Sequence, residues 1–275
     1  MKNFLKNKIV LVTGAAGSIG SELSRQIYQM KPKKLLLLDN NETALFDLWD
    51  ELPKAIPLLA DIRNESRITE IFKKYKPQLI FHTAAYKHVK MGELFSREMY
   101  QNNVVGTQNL LNQNFEKFIL ISTDKAVNPY CFMGYTKEHC EELCFEKKDC
   151  LIVRFGNVLG SRGSVIPIWQ KQIDEGKDLT VTDKQMKRYF MSMEEAVKLL
   201  IKAAEIGKSG DKIILDMGES VSILELAKEI IKKSKKDIGI KMIGKNPGEK
   251  FQEILMTKEE RKKAIKKNRL WIISK

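Results

Sequence analysis

No stretch of this chain strings together the roughly 18 apolar residues of a membrane-crossing helix, so an integral membrane segment is not expected. The apolar opening segment, KIVLVTGAAGSIG, is broken by glycines and runs into a motif, which makes it a first strand rather than a signal peptide. Cysteine is scarce, with four residues at 131, 140, 144 and 150. Cys140 and Cys144 lie one helical turn apart beside His139, but structural zinc usually takes four ligands in paired motifs. No metal is therefore expected, and the four read as reduced, buried thiols of a cytoplasmic protein. Repeats, linkers and low-complexity segments are missing, as is any RNA-binding or helix-turn-helix signature. The net charge of +13 therefore does not by itself imply nucleic acid. Its lysine runs at 232–236 and 262–267 read as solvated helix faces.

What is present is a rhythm. Short, nearly continuous apolar runs (9–13, 35–38, 57–60, 79–83, 118–122 and 151–154) alternate with segments of helical character (18–30, 43–52, 66–74, 95–113 and 134–146). Uninterrupted apolar strands between amphipathic helices belong to a parallel sheet covered on both faces. The pattern predicts an α/β fold with a Rossmann-type doubly wound parallel sheet over residues 1–160. After about 160 the rhythm loosens into helices near 167–175, 192–204 and 222–233 and a strand at 213–217. Residues 161–275 read as a smaller C-terminal substrate-binding lobe, with some segments returning to the sheet.

TGAAGSIG, Thr13 to Gly20, follows the first strand and opens a helix, the context in which a glycine motif carries meaning. Gly14 permits the turn, Gly17 lets backbone approach a pyrophosphate, and Gly20 lets helix and strand pack closely. The helix amino terminus, with Ser18 and Ile19, faces the phosphates. Asp39 ends the second strand, where a carboxylate accepts from ribose hydroxyls and repels a 2′-phosphate, favouring NAD over NADP. Asp61 ends the third strand, with Ile62 beside it, and reads equally as a strand-end cap or an adenine contact. In HTAAYKHV, Ala84 and Ala85 are small enough for a cofactor to pass. Lys87 and His88 point towards the mouth of the site, although His88 reads equally as a satisfied imidazole. The asparagines of NNVVGT, poor helix formers, imply a structural or cofactor role.

One absence stands out in ISTDKAVNPYCFMGYTK. A short-chain dehydrogenase deprotonates an alcohol with Tyr-x-x-x-Lys, and here the residue four before Lys137 is Met133. Together with VTGAAGSIGSEL, AAYKHV, NNVVGT, VRFGNVLGSRGSVIP, LTVTD…KRYFMS and PGEK, this stretch resembles the extended short-chain dehydrogenase/reductases. Within them it resembles the nucleotide-sugar 4,6-dehydratases of polysaccharide and glycan biosynthesis, whose tyrosine position is commonly methionine. The resemblance spans about residues 8–255. It implies an NAD-dependent enzyme that turns UDP-N-acetylglucosamine, or its GDP counterpart, into a 4-keto-6-deoxy sugar nucleotide; C5 is either inverted or retained, and by resemblance Met133 leans towards retention. Tyr135 lies two residues off, about 200° around a helix from the tyrosine position, and takes no catalytic role.

By the same resemblance Thr123 bonds the C4 hydroxyl. Asp124 serves as acid towards the C6 oxygen, Lys125, with a lowered pKa, is the C5 base, and Lys137 holds the nicotinamide ribose. Asn157 meets the substrate diphosphate, Arg188 pairs with a phosphate, and Glu249 reaches a ribose. Arg154 is either part of that group or buried structurally. The chain departs from the family at Phe95-Ser96, Cys131 and Asn246. The amino-terminal membrane helices common in the family are not expected here. A homodimer, or a larger homo-oligomer, is expected through the helices at 95–113 and 134–146. The rivals are a nucleotide-sugar 4-epimerase or reductase and a dinucleotide-binding sensor without catalysis.

Overall fold

The computed structural model describes residues 3–275. Strands and helices alternate through β1 (Ile9–Thr13), α1 (Ser18–Gln29), β2 (Lys34–Asp39), α2 (Glu42–Glu51), β3 (Ile56–Leu59), α3 (Glu65–Tyr75) and β4 (Leu79–His82). Next come α4 (Val89–Leu94), α5 (Ser96–Tyr100), a π-helical turn (Gln101–Val105) and α6 (Gly106–Leu111). β5 (Lys117–Thr123) leads through a 3₁₀ turn (Asp124–Ala126) to α7 (Phe132–Glu146) and β6 (Cys150–Phe155). These strands are mostly apolar because both faces are covered, and the polar side chains they bury are bonded, as His82 is on β4, Ser122 on β5 and Arg154 on β6. In β1, Val10 and Val12 enter one core and Leu11 the other, and in β2, Leu35 and Leu37 oppose Leu36 and Leu38. That is the two-residue period of a strand read on two buried faces. Asn41 and Asn64 cap α2 and α3 by accepting from backbone N–H groups three residues on.

The second half contains β7 (Asn157–Val158), α8 (Val165–Asp174), β8 (Leu179–Val181), β9 (Lys187–Arg188), β10 (Phe190–Met191) and α9 (Met193–Ile206). It continues with β11 (Lys212–Leu215), β12 (Val221–Ser222), α10 (Ile223–Ser234), β13 (Ile240–Met242), α11 (Lys258–Lys263), β14 (Ile265–Lys267) and β15 (Leu270–Ile273). The main sheet runs β14-β15-β11-β6-β5-β4-β1-β2-β3. Every pairing from β3 to β11 is parallel, and only the β15 and β14 edge is antiparallel. This is the Rossmann-type arrangement, with its switch point between β1 and β4. A third core, around Trp169, Ile173, Leu179, Val181 and Met186, binds α8, β8 and α10 together beyond the sheet's carboxyl edge.

Two expectations needed correction. The single helix expected over 95–113 is α5 and α6 joined by the π turn, with α4 ahead of it. The lysine run at 262–267 does not lie on one helix, because α11 stops at Lys263 and Ile265–Lys267 is an edge strand. Asn268, at φ 55°, makes the two-residue turn that sends the chain back as β15. A lysine-rich edge strand also resists pairing with another chain.

Candidate active site

A cleft of about 1170 Å³ runs along the carboxyl ends of the central strands, from the glycine turn to the third core. Gly14 sits at φ +65°, and a Cβ there would stand 2.7 Å from the backbone of Ala84. A Cβ on Gly20 would fall 2.0 Å from the carbonyl oxygen of Gly14, so α1 can start only against a bare backbone. Gly14, Gly17, Ser18, Ile19 and Gly20 all border the cleft. A smaller neighbouring hollow is bounded by Asp39, Ile62, Ala84, Ala85 and Asn102. Asp39 accepts from the N–H of Ala16 and of Asn41, both at 2.9 Å, which fixes its carboxylate beside the glycine turn. A bare-backbone turn at a helix amino terminus and a fixed carboxylate on the next strand fit a dinucleotide with free ribose hydroxyls. Asp61 is engaged elsewhere, in a fork with the Arg63 guanidinium at 2.6–3.0 Å that holds its pKa below the usual range.

His82 ties this half together. Its ring nitrogens meet Thr13 Oγ1 at 2.7 Å and Thr107 Oγ1 at 2.8 Å. Asn103, on the π turn, brackets Tyr86 from both sides of its peptide and donates to Thr136. The mid-helix asparagine thus shapes the loop after β4. Burial, then the Lys137 charge, pushes the His82 pKa down to about 3. The native protein therefore keeps His82 neutral while the unfolded chain protonates near 6.5, so stability falls as pH drops from 6.5 towards 3. Between pH 6.5 and 5 this group alone is expected to remove about 2 kcal/mol. Urea unfolding of wild type and His82→Gln at both pH values tests it. Equal acid losses in the two proteins would refute the assignment.

The Thr123–Lys125 turn follows β5. Gly134 is pressed so close that a Cβ would lie 2.4 Å from the carbonyl oxygen of Lys125, which seats α7 on the 3₁₀ turn. Cys131 caps α7, its sulfur accepting from the Gly134 N–H at 3.3 Å, where asparagine would make the same bond. Lys137 is buried and donates to the Ile121 carbonyl at 2.8 Å while bordering the cleft. Met133 is buried beside Met99, and Tyr135 points away at 54% exposure. Ser122 donates to Glu141 at 2.6 Å.

Thr123 and Lys125 face the cleft. Asp124 does not, contrary to its expected place at the C6 oxygen. Successive residues of a 3₁₀ turn point about 120° apart. Asp124 therefore lies behind Gly156 at 0% exposure, accepting from Thr123 Oγ1 at 2.9 Å and Lys125 Nζ at 3.0 Å. The expected lowered pKa of Lys125 is also overturned. Burial pulls it down, but Asp124 and Glu253 outweigh burial and lift it above the usual lysine value. Lys125 is thus an ammonium at neutral pH. Its Nζ also lies 3.4 Å from Asn157 Oδ1 and 3.9 Å from Glu253 Oε1.

Glu253 escaped the sequence reading. It borders the cleft at 4% exposure, and its Oε2 is buried without a hydrogen-bond partner. Backbone pairing puts it there: the Lys187 N–H and the Arg188 guanidinium both donate to the Phe251 carbonyl. Lys250 donates to the carbonyls of Val127 and Asn128, clamping this segment onto the Thr123–Lys125 turn. Lys87, His88, Asn157, Arg188 and Glu249 also border the cleft. The Arg162 N–H donates to Ser18 Oγ, so the loop after β7 crosses the glycine turn. Arg154 belongs to none of this. It is buried in a pair with Glu141 and Glu260.

A family model described as "Polysaccharide biosynthesis protein" matches residues 10–275. The capsular polysaccharide biosynthesis protein CapD of Staphylococcus aureus is 43% identical over 93% of this chain, which spans only 46% of that relative's length. A UDP-glucose 4-epimerase of Rickettsia rickettsii is 34% identical over 94% of the chain and 80% of its own. Among solved structures, Pen from Bacillus thuringiensis superposes with a TM-score of 0.92 at 35% identity, covering 98% of this chain and 89% of Pen.

Proposed function

The chain belongs to the polysaccharide biosynthesis protein family, and from that premise we propose that it is an NAD-dependent nucleotide-sugar 4,6-dehydratase acting on UDP-N-acetylglucosamine. The observation that carries the reading is the Thr123–Asp124–Lys125 turn, with Lys137 in register and a buried methionine in place of tyrosine, at the end of a dinucleotide cradle. Bound NAD would take hydride from C4 of the sugar and return it to C6.

The chain's own groups would handle the protons. Thr123 bonds the C4 hydroxyl and relays its proton to the Asp124 carboxylate behind it. Lys125, held as an ammonium, gives a proton to the C6 oxygen as that oxygen leaves as water. Asp124, at hydrogen-bond distance, then restores the Lys125 proton. Lys137 bonds the nicotinamide ribose. Lys87, Asn157 and Arg188 receive the diphosphate, where charge-assisted bonds are strongest. Exposed Phe95, Tyr100, Tyr135 and Phe145 give a second copy of the chain an aromatic surface to meet.

A second reading, a 4-epimerase, is favoured by the relatives that bear that name. Proton NMR of the purified protein with UDP-N-acetylglucosamine in heavy water, without added NAD, separates the two. A dehydratase is expected to give a new C6 methyl signal with deuterium at C5. Inversion at C4 with C6 still hydroxylated would establish the epimerase, and turnover of the GDP sugar alone would change the substrate.

A further inference from the structure

The dehydratase reading leaves one proton without an acceptor. Elimination of water requires that C5 lose a proton, and Lys125 already carries one. We propose that Glu253 is the base that takes the C5 proton and later returns it. The inference rests on the dehydratase reading. Asp124 is turned behind Gly156, so among the described residues the carboxylates bordering the cleft are Glu98, Glu249 and Glu253. Glu98 is exposed and paired with Arg63, and Glu249 accepts from the backbone N–H of Asn246. Glu253 stands beside the ammonium that protonates the leaving oxygen, with Oε1 3.9 Å from Lys125 Nζ and Oε2 free of hydrogen bonds, 4.0 Å from Lys250 Nζ. Acid and base therefore sit side by side, as removal of adjacent C5–H and C6–O bonds requires.

The step balances. The C5–H bond breaks and its proton joins a Glu253 oxygen. The electron pair becomes the C5–C6 double bond as the C6–O bond breaks, and the oxygen takes the Lys125 proton to leave as water. When hydride has arrived at C6, Glu253 gives its proton to C5 and is a carboxylate again.

The groups around Glu253 suit this cycle. Lys125, Arg188 and Lys250 favour its charge, whereas burial and the Asp124 carboxylate oppose it. Burial, the largest influence, leaves its pKa above the ordinary glutamate value. Cys131 lies within the same field. A carboxylate that titrates closer to neutrality is a stronger base and a readier donor on the return. Its position is enforced by the Lys187–Phe251 and Lys250–Val127 bonds and not by its own side chain.

The test is Glu253→Gln, which keeps the shape but cannot take up and return a proton, alongside Glu253→Asp. With UDP-N-acetylglucosamine in heavy water, the Gln variant is expected to lose about 10³-fold in kcat and in deuterium entry at C5. KM should stay within about threefold, and NAD should still copurify. The Asp variant should recover part of the loss. Deuterium entry within about threefold of wild type in the Gln variant overturns the proposal alone. A wild-type protein that makes no 6-deoxy product overturns the dehydratase reading and the proposal with it. If the Gln variant does not fold, the wild-type kcat profile decides. An acid limb above the usual glutamate range supports Glu253, and a flat profile from pH 5 to 8 refutes it.

Discussion

Lys125→Met is expected to lower turnover by about 10³-fold, roughly 4 kcal/mol of transition-state stabilisation, while leaving NAD bound. The loss follows from the leaving group. Hydroxide is a poor one, and in the proposed mechanism Lys125, which borders the cleft, protonates it. NAD should remain because Lys137 and the glycine turn are untouched. The same change has a second consequence, because Lys125 separates two buried carboxylates. Without the ammonium, Asp124 and Glu253 are like charges in a water-poor wall, and breaking such a pair costs about 3–5 kcal/mol. Adding Asp124→Asn to Lys125→Met should recover much of that stability and none of the turnover. Steady-state kinetics and thermal melts of the single and double variants check both parts. Turnover by Lys125→Met within tenfold of wild type would remove the lysine from the role of acid.

Arg154→Met is expected to cost about 3–5 kcal/mol of stability, a fall in Tm on the order of 10 °C. Arg154 meets Glu141 at 2.6 and 3.0 Å, Glu260 at 2.8 Å and the Leu255 carbonyl at 3.1 Å. The substitution leaves Glu141 buried with Lys212 and Ser122 alone. It also weakens Glu260, whose pKa is held down at about 2 despite burial by the Arg154 and Lys212 bonds. The Glu260 contribution is present above pH 4.5 and lost as pH falls towards 2. The wild type should therefore lose its advantage over Arg154→Met in acid. Melts at pH 7 and pH 3 measure this, and a gap that does not narrow would refute the account. Because Arg154 also grips Leu255, two residues from Glu253, the variant should be less active even where it is folded.

The sheet was legible because burial on two faces leaves strands with few polar residues to blur them. The glycine turn and Lys137 were legible because their spacing is set locally, by one turn and one helix. Glu253 was hidden for the opposite reason. It lies in an irregular segment without periodicity, and its burial comes from pairing with β9 and the Thr123–Lys125 turn, which no neighbouring residue announces. Leu255, which packs against the core of the sheet, was the faint signal that this segment turns inward. Asp124 was misplaced because a single 3₁₀ turn decides which of three adjacent side chains sees the cleft. The raised pKa of Lys125 could not be foreseen while its second carboxylate was unidentified.

The π turn at Gln101–Val105 also bears on how this fold tolerates change in chain length. A π turn is an α-helix carrying one surplus residue. The wide turn absorbs that residue, so deleting it would restore a regular helix with α6 close to its present phase, Thr107 still at His82 and Asn109 still at the Ile62 and Arg63 carbonyls. What the deletion would disturb is the turn itself, where Asn103 now holds Tyr86 and Thr136. A homologous chain could lose the residue and keep the helices on either side, but not the same loop after β4.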